Sequence, residues 1–238
     1  LIKLDTRAFS TVTVVSTELG NKIGVPEALE IPLGCEITSG VKYGDGSIRD
    51  GFLEIIYVGT LIGRKLETVI AGLAQHELSN PSVRFRLSIV GDGFPGQRQQ
   101  LQAMVDSLGL SSSVEFLGYL KGSDLVFATQ RADYGLVHVP NEERYSVQPS
   151  TKLFEYWAWG LPIIGTRYPM NDKYFEAGLG ILYDDHADGF AYALKRVADG
   201  LETLPAHQIV AHSQRYSWSN VVKSYLEPVL ELVVSQQQ

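Results

Sequence analysis

The sequence predicts an α/β fold in which a parallel sheet carries helices on both faces. Three observations point there. Short apolar runs at residues 55–58 (IIYV), 87–90 (LSIV) and 161–164 (LPII) read as strands. They lack strict apolar–polar alternation, as expected of strands covered on both sides. Amphipathic segments separate them, and strand–helix alternation of this kind favours a parallel sheet wound with right-handed crossovers. Glycines follow the strands at Gly59, Gly91 and Gly118, which is where an open parallel sheet presents its ligand crevice.

The elements follow in order. Residues 11–16 (TVTVVS) read as a strand, and Thr17 is placed to cap a short helix running through Lys22. Residues 29–34 (LEIPLG) form an extended piece closing on Gly34. Residues 38–53, with Gly40, Gly44, Gly46 and Gly51, read as a flexible surface connection, so a boundary falls near Gly40. After the strand that begins at Glu54, the residues Leu66, Val69, Ile70, Leu73 and Ala74 recur at helical spacing. Leu101, Met104, Val105 and Leu108 do the same, with Gly109 as the stop. Asp133, before a strand, reads as a structural cap. A polar loop leads into a helix near Lys152 that ends at Gly160. Asp184 or Asp185 is placed to cap the helix of Phe190, Leu194 and Val197. The tail from Trp218 has one apolar face, carrying Val221, Tyr225, Val229 and Val233, and Pro228 within it predicts a kink or break.

Composition narrows the function classes. At 238 residues with 45% hydrophobic and 20% charged residues, the chain can bury a substantial core as one domain or one and a half. The net charge of −7 argues against a nucleic-acid surface, which needs clustered Lys and Arg. The single cysteine, Cys35, excludes an intramolecular disulfide and a cysteine zinc cluster, and fits a reducing cytoplasm. His76, His186, His207 and His212 have no ligand spacing, so no metal site is expected. No run approaches a membrane span and no signal peptide is visible. Leu1 in place of Met reads as the cut end of something longer.

The run KLFEYWAWGLPIIGT, from Lys152 to Thr166, carries the most chemistry. A helix N-terminus suits a phosphate, and Glu155 one turn in can accept sugar hydroxyls. Together they fit a nucleotide; an ordinary helix-to-strand junction with an early Glu is the alternative. Arg64 and Lys65 precede a helix, where cations are unfavourable unless an anion meets them. Tyr156, Trp157 and Trp159 suit core or interface contact.

These segments stand in a fixed order: EIIYVGT from Glu54, the Arg64–Lys65 pair, FRLSIVGDG from Phe85, VEFLGY from Val114, ADYGLVH from Ala132, then the Lys152 segment. The ordered set resembles the C-terminal, donor-binding half of the GT-B glycosyltransferases, especially the large retaining group 1 family, over roughly residues 54–232. The resemblance implies a Rossmann-like GT-B C-terminal domain. It divides the chain into residues 1–39 (remnant of an acceptor domain and start of the linker), 40–53 (linker) and 54–238 (nucleotide-sugar-binding domain, with a terminal helix crossing back to the other domain). It implies a UDP- or GDP-linked sugar donor as substrate and no cofactor or metal. The donor diphosphate would meet Gly59, Thr60, Arg64, Lys65, Thr151 and Lys152, and the ribose Glu155. The base would meet Gly118 and Tyr119, although Tyr119 could equally be core packing. His138, Glu142 and Glu143 are candidates for the donor sugar. Two positions depart from the family pattern: Thr60 stands where an Arg is usual, and Val147 stands where the first of two glutamates eight positions apart would be.

The resemblance therefore implies the donor-binding part of a glycosyltransferase of polysaccharide or glycoconjugate biosynthesis. Its acceptor, a sugar or lipid-linked glycan, would bind through the missing N-terminal domain, and the isolated chain would be inactive. The location implied is cytoplasmic, or peripheral at the inner membrane face. The alternatives are a catalytically inactive nucleotide-sugar-binding module and a GT-B nucleotide-sugar epimerase.

Overall fold

The computed structural model describes residues 11–37, 51–79 and 81–235. Six strands form one parallel sheet: β3 (Phe52–Val58), β4 (Arg84–Val90), β5 (Val114–Gly118), β6 (Tyr134–Val137), β7 (Ile163–Thr166) and β8 (Gly180–Tyr183). Their spatial order is β5-β4-β3-β6-β7-β8, so the chain winds outward one way from β3 and then the other way from β6. The point of reversal lies between β3 and β6. There the register pairs Ile55 with Tyr134 and Ile56 with Gly135, whereas β3 pairs with β4 along its whole length.

Helices cover both faces, as the apolar strands require. On one face Leu53, Ile55, Tyr57, Phe85, Leu87 and Ile89 pack against α2 (Leu66–Leu78), α3 (Gln97–Ser107) and α7 (Ala187–Ala198). On the other, Ile56, Val58, Val90, Val137 and Ile163 meet α5 (Thr151–Ala158), α6 (Pro169–Tyr174) and α8 (Ala206–Ser213). Successive residues of each strand thus feed opposite cores. Helix α4 (Gly122–Gln130) lies over the β5 side with Phe127 65% exposed.

The buried Tyr156 of α5 reaches into the sheet at the reversal point. Its hydroxyl donates to the Ile56 carbonyl (3.1 Å), at the last β3–β6 pair, and accepts from the Val58 amide (3.0 Å), which lies beyond that pair. Gly135 opposite must lack a side chain: a Cβ there would sit 2.4 Å from the Tyr156 ring. A second close approach joins the loops after β3 and β4, where a Cβ on Gly91 (φ +134°) would lie 1.8 Å from the Gly59 carbonyl oxygen.

The two short strands β1 (Thr13–Val14) and β2 (Leu29–Glu30) pair in parallel as a separate sheet, with α1 (Thr17–Ile23) between them. Lys173 bridges this unit to α6 through Glu18 and Glu30. The proposed linker falls mostly outside the described residues, and β3 begins two residues before the boundary placed at Glu54.

Several local expectations are corrected. Ser16, not Thr17, caps α1, accepting from the Leu19 amide at 3.0 Å. His186, not Asp184 or Asp185, caps α7, with its Nδ1 accepting from the Gly189 amide. Asp133 is a strand clamp: its carboxylate accepts from the Glu54 amide at 2.9 Å. The third strand sits two residues later than residues 161–164, because Pro162 has no N–H to give to a ladder. Leu108 is the half-exposed C-cap of α3 rather than part of its buried face. Around Pro228 the terminal helix continues, with a widened turn at Val222–Leu226 leading into α10 (Glu227–Ser235). Among the described residues no helix is long and apolar enough to cross a membrane.

Candidate active site

A cavity of about 300 Å³ opens where the sheet order reverses. Its walls come from three places. Tyr57, Val58, Gly59 and Thr60 end β3 and begin its loop, which also brings Arg64. Val137, His138 and Val139 end β6. Gln148 to Lys152 form the start of α5. The switch point of a doubly wound sheet is where its fold leaves a crevice, since neighbouring crossovers diverge to opposite faces.

The loop after β3 is held in shape from below. The Tyr57 hydroxyl donates to the Thr60 carbonyl (2.6 Å), and the Leu61 amide to the Asp92 carbonyl (3.0 Å). The loop ends at Lys65, which caps α2 in the left-handed conformation (φ 52°). Lys65 is the one non-glycine residue with positive φ among the described residues. Arg64 and Lys65 both precede the first helical turn, as expected of the pair; Arg64 lines the crevice and Lys65 pairs with Glu142. Strained backbone of this kind is concentrated at ligand-binding loops.

At α5 the cap residue Ser150 makes no side-chain hydrogen bond to the first turn, which leaves the helix end without its usual internal acceptor. Lys152 pairs with the Glu155 carboxylate one turn on and lies 5.9 Å from the Trp159 ring centre. Glu155 is reached through Lys152 and does not itself line the cavity.

The loop after β6 closes over the other cations. Glu142 bridges Lys65 (2.6 Å) and Arg144 (2.7 Å). Tyr145 lies between two guanidiniums, Arg64 at 4.9 Å and Arg144 at 4.7 Å, and its hydroxyl donates to the Gly63 carbonyl (3.2 Å). Pairing with Lys65 draws the Glu142 carboxyl below its ordinary range and raises the Lys65 ammonium. Glu143 points outward; its carboxylate is 3.4 Å from Lys22, which also donates to the Glu143 carbonyl. The Ser16 hydroxyl donates to the Val147 carbonyl, so α1 grips this loop at the position where the family's first glutamate is absent.

His138 is buried at the cavity floor. Burial lowers its pKa to about 4, opposed by the Asp185 carboxylate and by the backbone of Lys65 and Arg64, and reinforced by the Arg64 cation. Gly118 (φ +69°) accepts from the Gly91 amide (2.8 Å), which stands beside Gly59. Tyr119 is 73% exposed, so the core-packing alternative fails.

The cavity thus gathers Gly59, Thr60, Arg64, His138, Thr151 and Lys152. Lys65 and Glu142 pair with each other outside its lining, Glu155 stands behind Lys152, and Gly118, Tyr119 and Glu143 do not line it. Sequence reasoning missed Tyr57, Tyr145, Gln148, Ser150 and Tyr168. Tyr57 and Tyr168 hide in apolar runs. The polar stretch before Lys152 was the one available signal for Gln148 and Ser150. Among the described residues no group of His, Cys, Asp and Glu is placed to hold a metal.

Residues 53–199 match the family model for glycosyl transferases group 1. A D-inositol 3-phosphate glycosyltransferase of Acidothermus cellulolyticus is 29% identical over 182 residues, covering 72% of this chain and 39% of that protein. Among solved structures, HepE of Anabaena in complex with UDP and glucose superposes with a TM-score of 0.75 at 18% identity, covering 97% of this chain and 65% of that one. The lipopolysaccharide outer core galactosyltransferase WaaB gives 0.72 at 18% identity, covering 93% and 62%. Sucrose-phosphate synthase of Thermosynechococcus elongatus gives 0.69 at 19% identity, covering 94% and 58%. The fold is the Rossmann-like half of GT-B, and the chain spans under two thirds of each of these proteins.

Proposed function

This chain belongs to the glycosyl transferases group 1 family, and from that premise we propose that it is the donor-binding part of an enzyme that moves a sugar from a nucleotide-sugar to an acceptor. The observation that carries the proposal is the meeting, at the switch point, of an uncapped helix start with the loop after β3 and its cations. The donor diphosphate lies against Gly59, Thr60, Thr151 and Lys152. Arg64, lining the cavity, supplies the guanidinium that Thr60 does not. As the sugar leaves, charge builds on the diphosphate, and fixed cations with a helix dipole stabilise it there.

Glu155 holds the ribose hydroxyls, with Lys152 exchanging its carboxylate partner for phosphate. The base extends toward Gly118 and the exposed Tyr119. The donor sugar lies beyond the diphosphate, toward the loop of Glu142 and Glu143. Lys65 joins the diphosphate by exchanging Glu142 for it. A uridine nucleotide is the first choice of donor, because the HepE structures hold UDP, UDP and glucose, or UDP-glucose. A guanosine nucleotide is the second. The acceptor, a sugar or lipid-linked glycan of polysaccharide or glycoconjugate assembly, belongs to the part of the relatives that this chain does not span. The work is placed in the cytoplasm or at the inner membrane face.

A second reading, a nucleotide-sugar-binding module without catalysis, is favoured by Val147 at the glutamate position. Calorimetry with uridine, guanosine and adenosine diphosphates tests what both share. We expect one to bind; a folded chain that binds none at millimolar concentration refutes both.

A further inference from the structure

His138 follows β6 and is 2% exposed, and its Nε2 makes no hydrogen bond of full geometry among the described residues, although the Lys65 and Arg64 backbone lies close enough to act on the ring. A buried polar atom left in this way costs free energy, so a missing partner is to be sought. The other ring nitrogen, Nδ1, lies 2.7 Å from the Tyr183 hydroxyl, and the two rings are parallel within 2°. Tyr183 ends β8, two strands away, and among the described residues its hydroxyl makes this bond alone. Burial pushes that hydroxyl far above its ordinary range, so it keeps its proton. A phenol that keeps its proton and has one acceptor gives the hydrogen bond to it. The neutral imidazole then carries its own proton on Nε2. The unpartnered atom is therefore an N–H donor, on a ring that lines the cavity beside Thr60, Arg64 and Thr151.

We propose that His138, fixed in its Nε2–H tautomer by the Tyr183 hydroxyl, donates a hydrogen bond to a diphosphate oxygen of the donor. Tyr183 acts through His138 as a positioning residue. This rests on the nucleotide reading above. The ring's neighbours select the diphosphate rather than the sugar, because the β3 loop and the start of α5 are where the phosphates lie. Asp185, the Arg64 cation and backbone hydrogen bonding from Lys65 and Arg64 bear on the ring's charge. Burial keeps the ring neutral, so the contact adds direction rather than a further cation. Arg64 supplies the charge and His138 selects where the oxygen sits.

The test joins nitrogen-15 spectra of the histidine-labelled chain with calorimetry using UDP and uridine. Wild type should show His138 protonated on Nε2, and UDP should shift that nitrogen more than uridine does. His138→Phe should bind UDP about tenfold more weakly, the scale of one hydrogen bond to a charged group, with uridine unchanged. His138→Gln, which restores an N–H at similar reach, should recover most of the loss. Tyr183→Phe should mix the two tautomers and lose part of the UDP affinity. An Nδ1-protonated ring in wild type overturns the proposal. So does a His138→Phe chain that binds UDP as wild type does, or that loses UDP and uridine equally. If the Phe variant fails to fold, the Gln variant and the Tyr183→Phe spectra decide. A wild-type chain that binds no nucleoside diphosphate sinks the nucleotide reading and this proposal with it. UDP binding that ignores His138 sinks this proposal alone.

Discussion

Glu155 and His138 carry different parts of the ligand chemistry proposed for the site, and each can be read separately. A carboxylate can accept from both vicinal hydroxyls of a ribose, and such charge-assisted bonds are the stronger kind. Glu155→Gln should therefore weaken nucleotide binding by about 1–3 kcal/mol. On that background the 2′,3′-dideoxy nucleotide should lose little further; equal discrimination by mutant and wild type removes Glu155 from the ribose. For His138 the readout is stability against pH. Its folded pKa of about 4 lies below the unfolded 6.5, so the native state binds fewer protons between those values. The contribution is whole above pH 6.5 and falls as pH drops toward 4, by about 3 kcal/mol at 1.36 kcal/mol per unit. Urea unfolding across that window should show wild type losing about this much relative to His138→Gln. Parallel curves mean that the ring is not buried neutral.

Between elements, the loops after β3 and β6 are joined by charge and by aromatic stacking, with Glu142 occupying the Lys65 ammonium that a diphosphate would need. Glu142→Gln should tighten UDP at low salt, with the gain shrinking as salt rises, because the pair of exposed Lys65 and half-buried Glu142 is reached by solvent and screened. Lys65→Ala should weaken UDP and leave uridine nearly unchanged. If Glu142→Gln weakens UDP-sugar instead, Glu142 is a ligand of the sugar. The other inter-element joint is α5 to the sheet. Tyr156→Phe keeps the ring but leaves the Val58 amide, which lies beyond the last β3–β6 pair, buried without the partner it has here. At about 1–3 kcal/mol for a stranded buried group, thermal or urea unfolding should show a loss of that size. A loss under 1 kcal/mol would mean that β3 and β6 re-pair once the hydroxyl is gone.

At the scale of the whole molecule, the proposed acceptor site belongs to sequence that the relatives carry and this chain does not span. The 238 residues alone should bind donor and transfer no sugar, and joining them to an acceptor domain should restore turnover. Robust transfer to an acceptor by these residues alone refutes the division. The same scale shows what the sequence could disclose. The sheet and α2, α3 and α7 were legible because burial on one face imposes a period, as in Leu66, Val69, Ile70 and Leu73. The crevice was legible only in part: of the glycines that follow the strands, Gly59 lines it and Gly91 and Gly118 do not. The partners of the site residues were not legible. Whether Lys65 meets Glu142 or a phosphate depends on a loop folded over from β6, and nothing in local spacing encodes that contact. Ser16 and His186 cap their helices where Thr17 and Asp184 or Asp185 were expected, for a related reason: several polar residues stand near each element's end, and geometry decides among them. Tyr183 was invisible as a partner of His138, because strand order, not sequence order, brings β8 within reach of β6.

The Tyr156 bond to Val58 has a further consequence for how the molecule can be watched. Val58 lies in a central strand, where an amide is ordinarily held by its neighbouring strand and exchanges its proton only when the sheet opens. Here the holder is a side chain of α5, four residues beyond the Ser–Thr–Lys stretch that opens on the crevice. The deuterium uptake of that one amide is therefore a clock on the seating of α5, separate from the clocks that run on β3–β4 pairing at Tyr57 and Ile55. A ligand gripping the helix start should slow Val58 while leaving its neighbours unchanged, so occupancy of the crevice could be timed from beneath, with no label on the ligand.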